Sequence, residues 1–407
     1  MSQPFTGVRV LDFTQVFAGP FGSYQLALLG ADVVKIERPG GDDMRYGPPN
    51  KEWSDRGLGT GWLAINANKR NIALDLTKPE AIAIVKKLAE TADVVMENFR
   101  PGVMDKLGIG YEALSKVNPR IIYAAVSGFG QVGPERTTGA YDGKIQAMSG
   151  LMSITGSEAS GPTRAGFAVC DAIGGMSLAF GVASALLQRT HTGKGQLVDV
   201  AMLDSALTFM SSFVVDYTVG GHVQGPSGNR AQSRLPTADL FKVKDGHLLL
   251  AVNNDKQFIA LAKAIGHPDL PSDPRFIDWP ARIENEVALR QIIEEVFSTA
   301  DAATWDERLT AANVPCSRIW SLAEVVKHPQ LGHRTILQKV DSPYGEVELL
   351  ASGIRYAHGG AEIKRFPAMP GADTDAVLGE AGYSAEEIAS FKASGVATTG
   401  IRAGRKS

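Results

Sequence analysis

The stretch VRVLDFTQVFAGPFGSYQLALLGADVVKIE, Val8 to Glu37, decides the fold. Val8 to Phe13 is rich in β-branched and large apolar residues and predicts a strand; Gly19-Pro20 then opens a helical segment over Phe21 to Leu29. Gly30 follows as a natural left-handed helix stop, and Val33 to Glu37 predicts a second strand. A strand, a short helix and a strand in close succession make a right-handed βαβ unit with parallel pairing. The same alternation continues outward. Asn71 to Leu76 (NIALDL) reads as a strand, with Thr77 placed to N-cap a helix over Lys78 to Thr91 whose Ile82, Ile84, Val85 and Leu88 share a face. Strands at Val94 to Glu97 and Ile121 to Val126 complete an α/β pattern, a doubly wound, Rossmann-like sheet.

The 407 residues exceed one ordinary domain, so a second is expected. Composition shifts to Gly, Ser, Asn and Arg over Gly220 to Arg234, which marks a boundary. Residues 1–225 are therefore assigned to a large Rossmann-like domain, first part, and 226–335 to an inserted smaller α+β domain with a strand at Leu248 to Val252 and helices at Gln257 to Ile265 and Asp301 to Ala312. Residues 336–393 are expected to return to the large domain, with Val347 to Tyr356 (VELLASGIRY) rejoining the sheet, and 394–407 to form a disordered tail.

Hydrophobic residues at 44% and charged residues at 21% are globular values, against disorder or a fibrous chain. Forty-one Lys+Arg against 44 Asp+Glu leave no basic field, so nucleic acid is not an expected partner. The start MSQPFTGVRVLDF has neither basic nor apolar signal character, and the apolar stretch Ala172 to Leu187 is shorter than a membrane span and reads as a buried helix. With Cys170 and Cys316 the only cysteines, both expected as packed thiols, a reducing cytoplasm is the expected location. The seven histidines all fall at or beyond His191 without ligand spacing, so no metal is expected.

Gly128 to Gly133 matches GxGxxG after a strand, but Pro134 and the polar ERTTGAYDG follow where a dinucleotide fold needs a helix. A glycine-rich site loop is the better reading. Cys170 has no adjacent cation to activate it. Asp171 lies between the apolar run FAVC and the long apolar helix. It reads either as an N-cap or as a poorly solvated carboxylate poised for nucleophilic chemistry beside helix amides that can stabilise an oxyanion.

Five longer stretches extend this picture: VRVLDFTQVFAGPFGSYQLALLGADVVKIERPGGDDMR (Val8 to Arg45), NANKRNIALDL (Asn66 to Leu76), VVMENFRPGVMDKLGIGYEAL (Val94 to Leu114), GKIQAMSGLMSITG (Gly143 to Gly156) and TGKGQLVDVAMLDSAL (Thr192 to Leu207). In this order they resemble the family III CoA-transferases, the group of formyl-CoA:oxalate, carnitine and dicarboxylate CoA-transferases. The resemblance implies that Asp171 is the catalytic nucleophile, which carries the acyl group and then CoA as an aspartyl intermediate. It implies no permanently bound cofactor, with a coenzyme A thioester as substrate. CoA would be contacted by Val16, Arg38, Leu74, Asn98, Phe99, Arg100, Lys106 and Tyr141, and Arg38 reads equally as a surface cation. The reaction implied moves CoA from an acyl-CoA donor, succinyl-CoA foremost, to a small carboxylic or dicarboxylic acid. Arg45, Tyr46 and Arg164 are candidates for the acid's far carboxylate, and Gly225-Pro226-Ser227-Gly228 for a closing loop. Phe17 departs from the glutamine of the oxalate-specific enzyme. The family also implies a homodimer of two interlocked chains. Two alternatives remain: an acyl-CoA racemase or epimerase of the same fold, against which Tyr141 stands where racemases place a histidine before Asp142, and a CoA-binding protein without catalysis.

Overall fold

The computed structural model describes residues 2–402. Short helices apart, the first strands and helices are β1 (Arg9–Asp12), α1 (Ala18–Leu28), β2 (Asp32–Glu37), β3 (Arg70–Leu74), α2 (Pro79–Ala89), β4 (Val94–Glu97) and β5 (Ile122–Ser127). They are followed by α3 (Asp142–Met148), α4 (Val169–Thr192), β6 (Gln196–Ala201), α5 (Met202–Phe209), α6 (Ser211–Gly220) and, near the end of the chain, β7 (Ala397–Thr398). The sheet order is β7-β3-β2-β1-β4-β5-β6, parallel except for β7. Successive residues feed opposite faces. Leu11, Val34 and Val95 enter one hydrophobic core, and Val10, Val33 and Val94 the other. Both faces are covered, as a parallel sheet requires.

The predicted strands and α1 form within a few residues of their expected bounds, and Gly30 has φ +96° after α1. Thr77 is a correction: its hydroxyl bonds Asp75 at 2.6 Å, while α2 starts at Pro79 behind Lys78 with no side-chain cap. Proline at N1 supplies that start, since its missing N–H would have had no helical partner. The predicted return strand is a second correction. Gly345–Leu350 pairs only with Leu337–Ser342 as a separate hairpin, and it is β7 that rejoins the sheet, on β3. The tail is a third: Val396 and Ala397 are in the core, Ile401 bridges Gly40, and the Arg402 amide donates to the Tyr46 hydroxyl at 2.9 Å. Residues 403–407 lie outside the described residues.

α4 runs for 24 residues, longer than its sequence suggested, so length alone no longer separates it from a span. One face is buried by Cys170, Gly174, Leu178 and Val182, while Phe180 and Leu187 are exposed. α4 meets α1 through glycines. A Cβ on Gly175 would lie 2.4 Å from the Ala18 carbonyl oxygen, and one on Gly22 would lie 2.7 Å from the Gly175 carbonyl oxygen. Only glycine permits that approach, which packs the first turn of α1 against the start of α4.

The chain divides into two compact units. One is Met1–Leu151, Ala165–His222 and Pro329–Ser407, and the other is Met152–Arg164 and Val223–His328. In the second, Leu240–Val243, Gly246–Leu250 and Cys316–Arg318 form an antiparallel sheet over a core that includes Phe241, Phe258, Phe297 and Trp305. Its helices are Asp255–Ala264, capped by Asn254, and Ala302–Ala311, capped by Asp301. The Gly228 amide donates to the Gly156 carbonyl at 2.7 Å within this unit.

Candidate active site

Strand order reverses between β1 and β4, and ligands of open α/β sheets bind where the loops after such strands diverge. A cleft of about 240 Å³ opens there, lined by the loops after β1 (Gln15 to Ala18), β4 (Asn98 to Pro101) and β5, and by Tyr141 and Asp171.

Asp171 is in the first turn of α4, three residues after the N-cap Ala168, so it does not cap the helix. That duty belongs to Asp142, whose Oδ1 accepts from the Cys170 amide at 2.8 Å and the Asp171 amide at 3.3 Å. Its Oδ2 accepts from the Gln146 side chain at 2.6 Å. The Asp171 carboxylate is half-buried and has no hydrogen bond or ion pair among the described residues. Burial, and next the charge of Asp142, push its pKa up to about 7. A carboxylate left unpaired in this way keeps its lone pairs available for attack. Cys170 is fully buried, and burial with the neighbouring carboxylates pushes its thiol up to about 12, which excludes a thiolate nucleophile.

The loop entering α1 carries an uncommon conformation: Val16, β-branched and lining the cleft, has φ +63°. Beneath it is a buried charge cluster. Asp12 accepts from the Thr14 amide and hydroxyl at 2.9 and 2.5 Å, the Ser23 hydroxyl at 2.6 Å and Lys69 at 3.2 Å, and Lys35 bonds the Thr14 carbonyl at 2.7 Å. Burial alone would raise the Asp12 pKa, but Lys35, Lys69 and the two hydroxyls outweigh it and hold it at about 2. α1 itself has no side-chain cap, and the amides of Ala18 and Gly19 find no partner among the described residues. Pro20 has no N–H, so these two and the N-cap Phe17 amide, which likewise finds no partner among the described residues, are the unsatisfied donors of this helix start.

Of the residues expected to contact CoA, Val16, Asn98, Phe99, Arg100 and Tyr141 share the cleft. The Asn98 side chain is engaged twice by Gln15, at 2.7 Å to its amide and 2.7 Å to its carbonyl, and so works as a brace between the two loops. Arg100 is exposed and unpaired among the described residues; Arg136, not foreseen, is a second such guanidinium on the same cleft. Arg38 is on the neighbouring loop after β2, paired to Asp43 at 2.6 Å, and Lys106 ends the short helix Val103–Lys106. Neither lines the cleft.

Leu74 is a correction: it is 0% exposed among Ile36, Ile72 and Leu11, so its side chain builds core rather than a ligand wall. Arg45 is another. It is fully buried, bonded to Glu37, the Gly57 and Ala368 carbonyls, and stacked 3.5 Å from the Trp62 ring, so it has no free valence for an acid substrate. Tyr46 is engaged by Gly40 and Arg402. The GxGxxG loop leads into irregular chain up to Asp142 rather than a helix, and a Cβ on Gly128 would lie 2.3 Å from that of Ala140. Its glycine serves loop packing.

A Rossmann-type sheet with an unpaired carboxylate at its switch point defines an α/β protein built for chemistry on a ligand held across the strand ends. The chain belongs to CoA-transferase family III, whose sequence profile matches residues 5–374. It is an enzyme, a CoA-transferase. It is 42% identical over 339 residues to the acetyl-CoA:oxalate CoA-transferase of Acetobacter aceti, covering 83% of this chain and 86% of that one. Identity to the succinyl-CoA:glutarate CoA-transferase of Mus musculus is 35% over 383 residues, 93% and 86% of the two chains. A CaiB/BaiF family protein from Brucella suis has a similar crystal structure, with TM-score 0.84, 33% identity and coverage of 94% and 100%.

Proposed function

We propose that this enzyme transfers CoA from an acyl-CoA donor, succinyl-CoA foremost, to a small dicarboxylic acid through an intermediate carried on Asp171. The observation that carries the reading is the unpaired, half-buried Asp171 carboxylate in the switch-point cleft, raised to about 7. The dicarboxylate is supported by the unpaired guanidinium of Arg136 on the same cleft, since the second carboxylate of such an acid needs a cation, while Arg100 is assigned to CoA.

Asp171 attacks the thioester carbonyl; the carbon–sulfur bond breaks and CoA leaves as a thiolate, giving a mixed anhydride. The thiolate then attacks the Asp171 acyl carbon, expelling the donor acid and leaving an aspartyl-CoA thioester. The acceptor's carboxylate attacks that thioester, and the same two steps run in reverse. Negative charge develops on an acyl oxygen each time, and the unsatisfied amide of Ala18, at the helix start that lines the cleft, is the proposed donor to it. Asp142 fixes the turn that carries Asp171 by accepting the Cys170 and Asp171 amides. Val16, Phe99, Arg100, Lys106, Tyr141 and, on its neighbouring loop, Arg38 form the proposed CoA track.

The working form is proposed to be a homodimer, because α4, α5 and α6 leave Phe180, Leu187, Phe209, Tyr217 and Val219 uncovered on one chain.

The test is Asp171→Asn beside Asp171→Ala, assayed on a panel of acids with succinyl-CoA and acetyl-CoA and read by mass spectrometry. Both variants should lose transfer by at least about a thousandfold, and wild-type enzyme with acyl-CoA alone should gain a hydroxylamine-sensitive adduct at Asp171. Near-normal transfer by Asp171→Asn, free of deamidation, would remove the covalent mechanism.

A further inference from the structure

We propose that Asp42 is a positioning residue for acyl transfer: its carboxylate holds Val16 in the left-handed conformation and so fixes where the start of α1, at Ala18, meets the cleft. A left-handed conformation is unfavourable for any residue with a Cβ and most of all for a β-branched one, and it persists only where the surroundings over-determine it. Here Thr14, Gln15 and Val16 are each fastened by different side chains. Thr14 is held at its amide and hydroxyl by Asp12 and at its carbonyl by Lys35. Gln15 is held at both backbone groups by Asn98. At Val16 the amide donates to Asp42 Oδ2 at 2.9 Å, the last such fastening before α1 begins two residues later.

Asp42 is itself rigidly set. It is 3% exposed, its amide donates to Glu37 Oε1 at 2.8 Å, and its Oδ1 accepts from the Met44 amide at 2.9 Å. Glu37 is in turn locked by the buried Arg45. Each Asp42 oxygen thus takes one backbone N–H, from the loops after β1 and β2 respectively. An asparagine could accept only one of the two, because its amide nitrogen would face a donor.

The catalytic half of this proposal rests on the Asp171 reading; the structural half does not. The experiment uses Asp42→Ala, the isosteric Asp42→Asn in case the first fails to fold, and each combined with Val16→Gly. Two measurements are made, steady-state transfer with a good donor and acid pair and hydrogen exchange of the peptide covering residues 13–19. In both Asp42 variants kcat should fall by more than KM rises, since oxyanion stabilisation acts only in the transition state, and exchange at residues 14–16, whose amides the loop's side chains hold, should quicken. Glycine has no left-handed penalty, so adding Val16→Gly should return about tenfold of the lost kcat, which a purely structural defect would not allow. Unchanged exchange, a change confined to KM, or no recovery with Val16→Gly would overturn the proposal. An Asp171→Asn enzyme with full transfer would overturn the reading of that residue alone, and the exchange result would still decide whether Asp42 holds the loop.

Discussion

On the proposed mechanism Asp171 must be ionised to attack, and its environment sets the pH at which it is. With the pKa raised to about 7 by burial and the Asp142 charge, the rate of the first half-reaction should fall tenfold for each pH unit below that point. A profile of kcat/KM for the donor between pH 5 and 8.5 checks this, and a flat profile down to pH 5 would show that the carboxyl is not raised. The same shift has a stability consequence of defined sign. A carboxyl whose folded pKa exceeds its unfolded value of about 3.9 favours the protonated fold, so ionisation costs stability progressively from about pH 4 and in full above pH 7. Asp171→Asn should therefore stabilise the protein at pH 8, by about 1–2 kcal/mol once solvent screening is allowed for, and hardly at all at pH 4. Chemical denaturation at the two pH values measures it, and equal effects at both would contradict the linkage. The apolar flanks of Asp171 made it a candidate in the sequence, but they did not show which residue caps its helix. Asp142 caps a helix 28 residues further on, and a cap contributed from so far away leaves no local signature; the sequence shows only an aspartate opening a short helix.

At the scale of elements, the site depends on the crossing of α1 and α4. Gly175→Ala would drive a methyl to within 2.4 Å of the Ala18 carbonyl oxygen, which is backbone and cannot rotate aside, so the helices must separate. A loss of about 1–3 kcal/mol is expected by denaturant unfolding, with a fall in transfer because the start of α1 moves with it. Full activity in Gly175→Ala would mean the crossing does not place the α1 amides. The strands of this layer were legible because period, β-branched content and terminators agree locally over Val8 to Val126. What escaped were long-range choices. Leu74 belongs to the same readable strand, yet its burial is fixed by β2 on one side and β7 on the other, and β7 is two residues of a tail whose composition signals nothing. Arg45 looked like a ligand for acids because an arginine in a Gly-Asp loop usually meets water; Glu37 and Trp62 close around it instead.

For the whole molecule, the decisive feature is an apolar helix covered on one face only. On α4 Phe180 is 75% exposed and Leu187 65%, and Phe209 on α5 63%, although α4 supplies a principal wall of the core on its other side. The sequence predicts a buried helix here because the uncharged apolar stretch Ala172 to Leu187 is shorter than a membrane span. Both observations agree if a second copy covers the exposed face. A dimer that does so should persist at micromolar protein, since obligate interfaces of this apolar character bury roughly 2,000 Å² or more. Sedimentation equilibrium should return twice the chain mass. Phe180→Asp with Leu187→Asp should then shift the protein to monomer or to aggregate and reduce transfer, while the same charges placed at the exposed Ala385 and Ala389, on the helix Ala385–Ala393, should change neither. Wild-type enzyme found as a monomer at that concentration, with full activity, would show that the uncovered face of α4 is not an interface between copies.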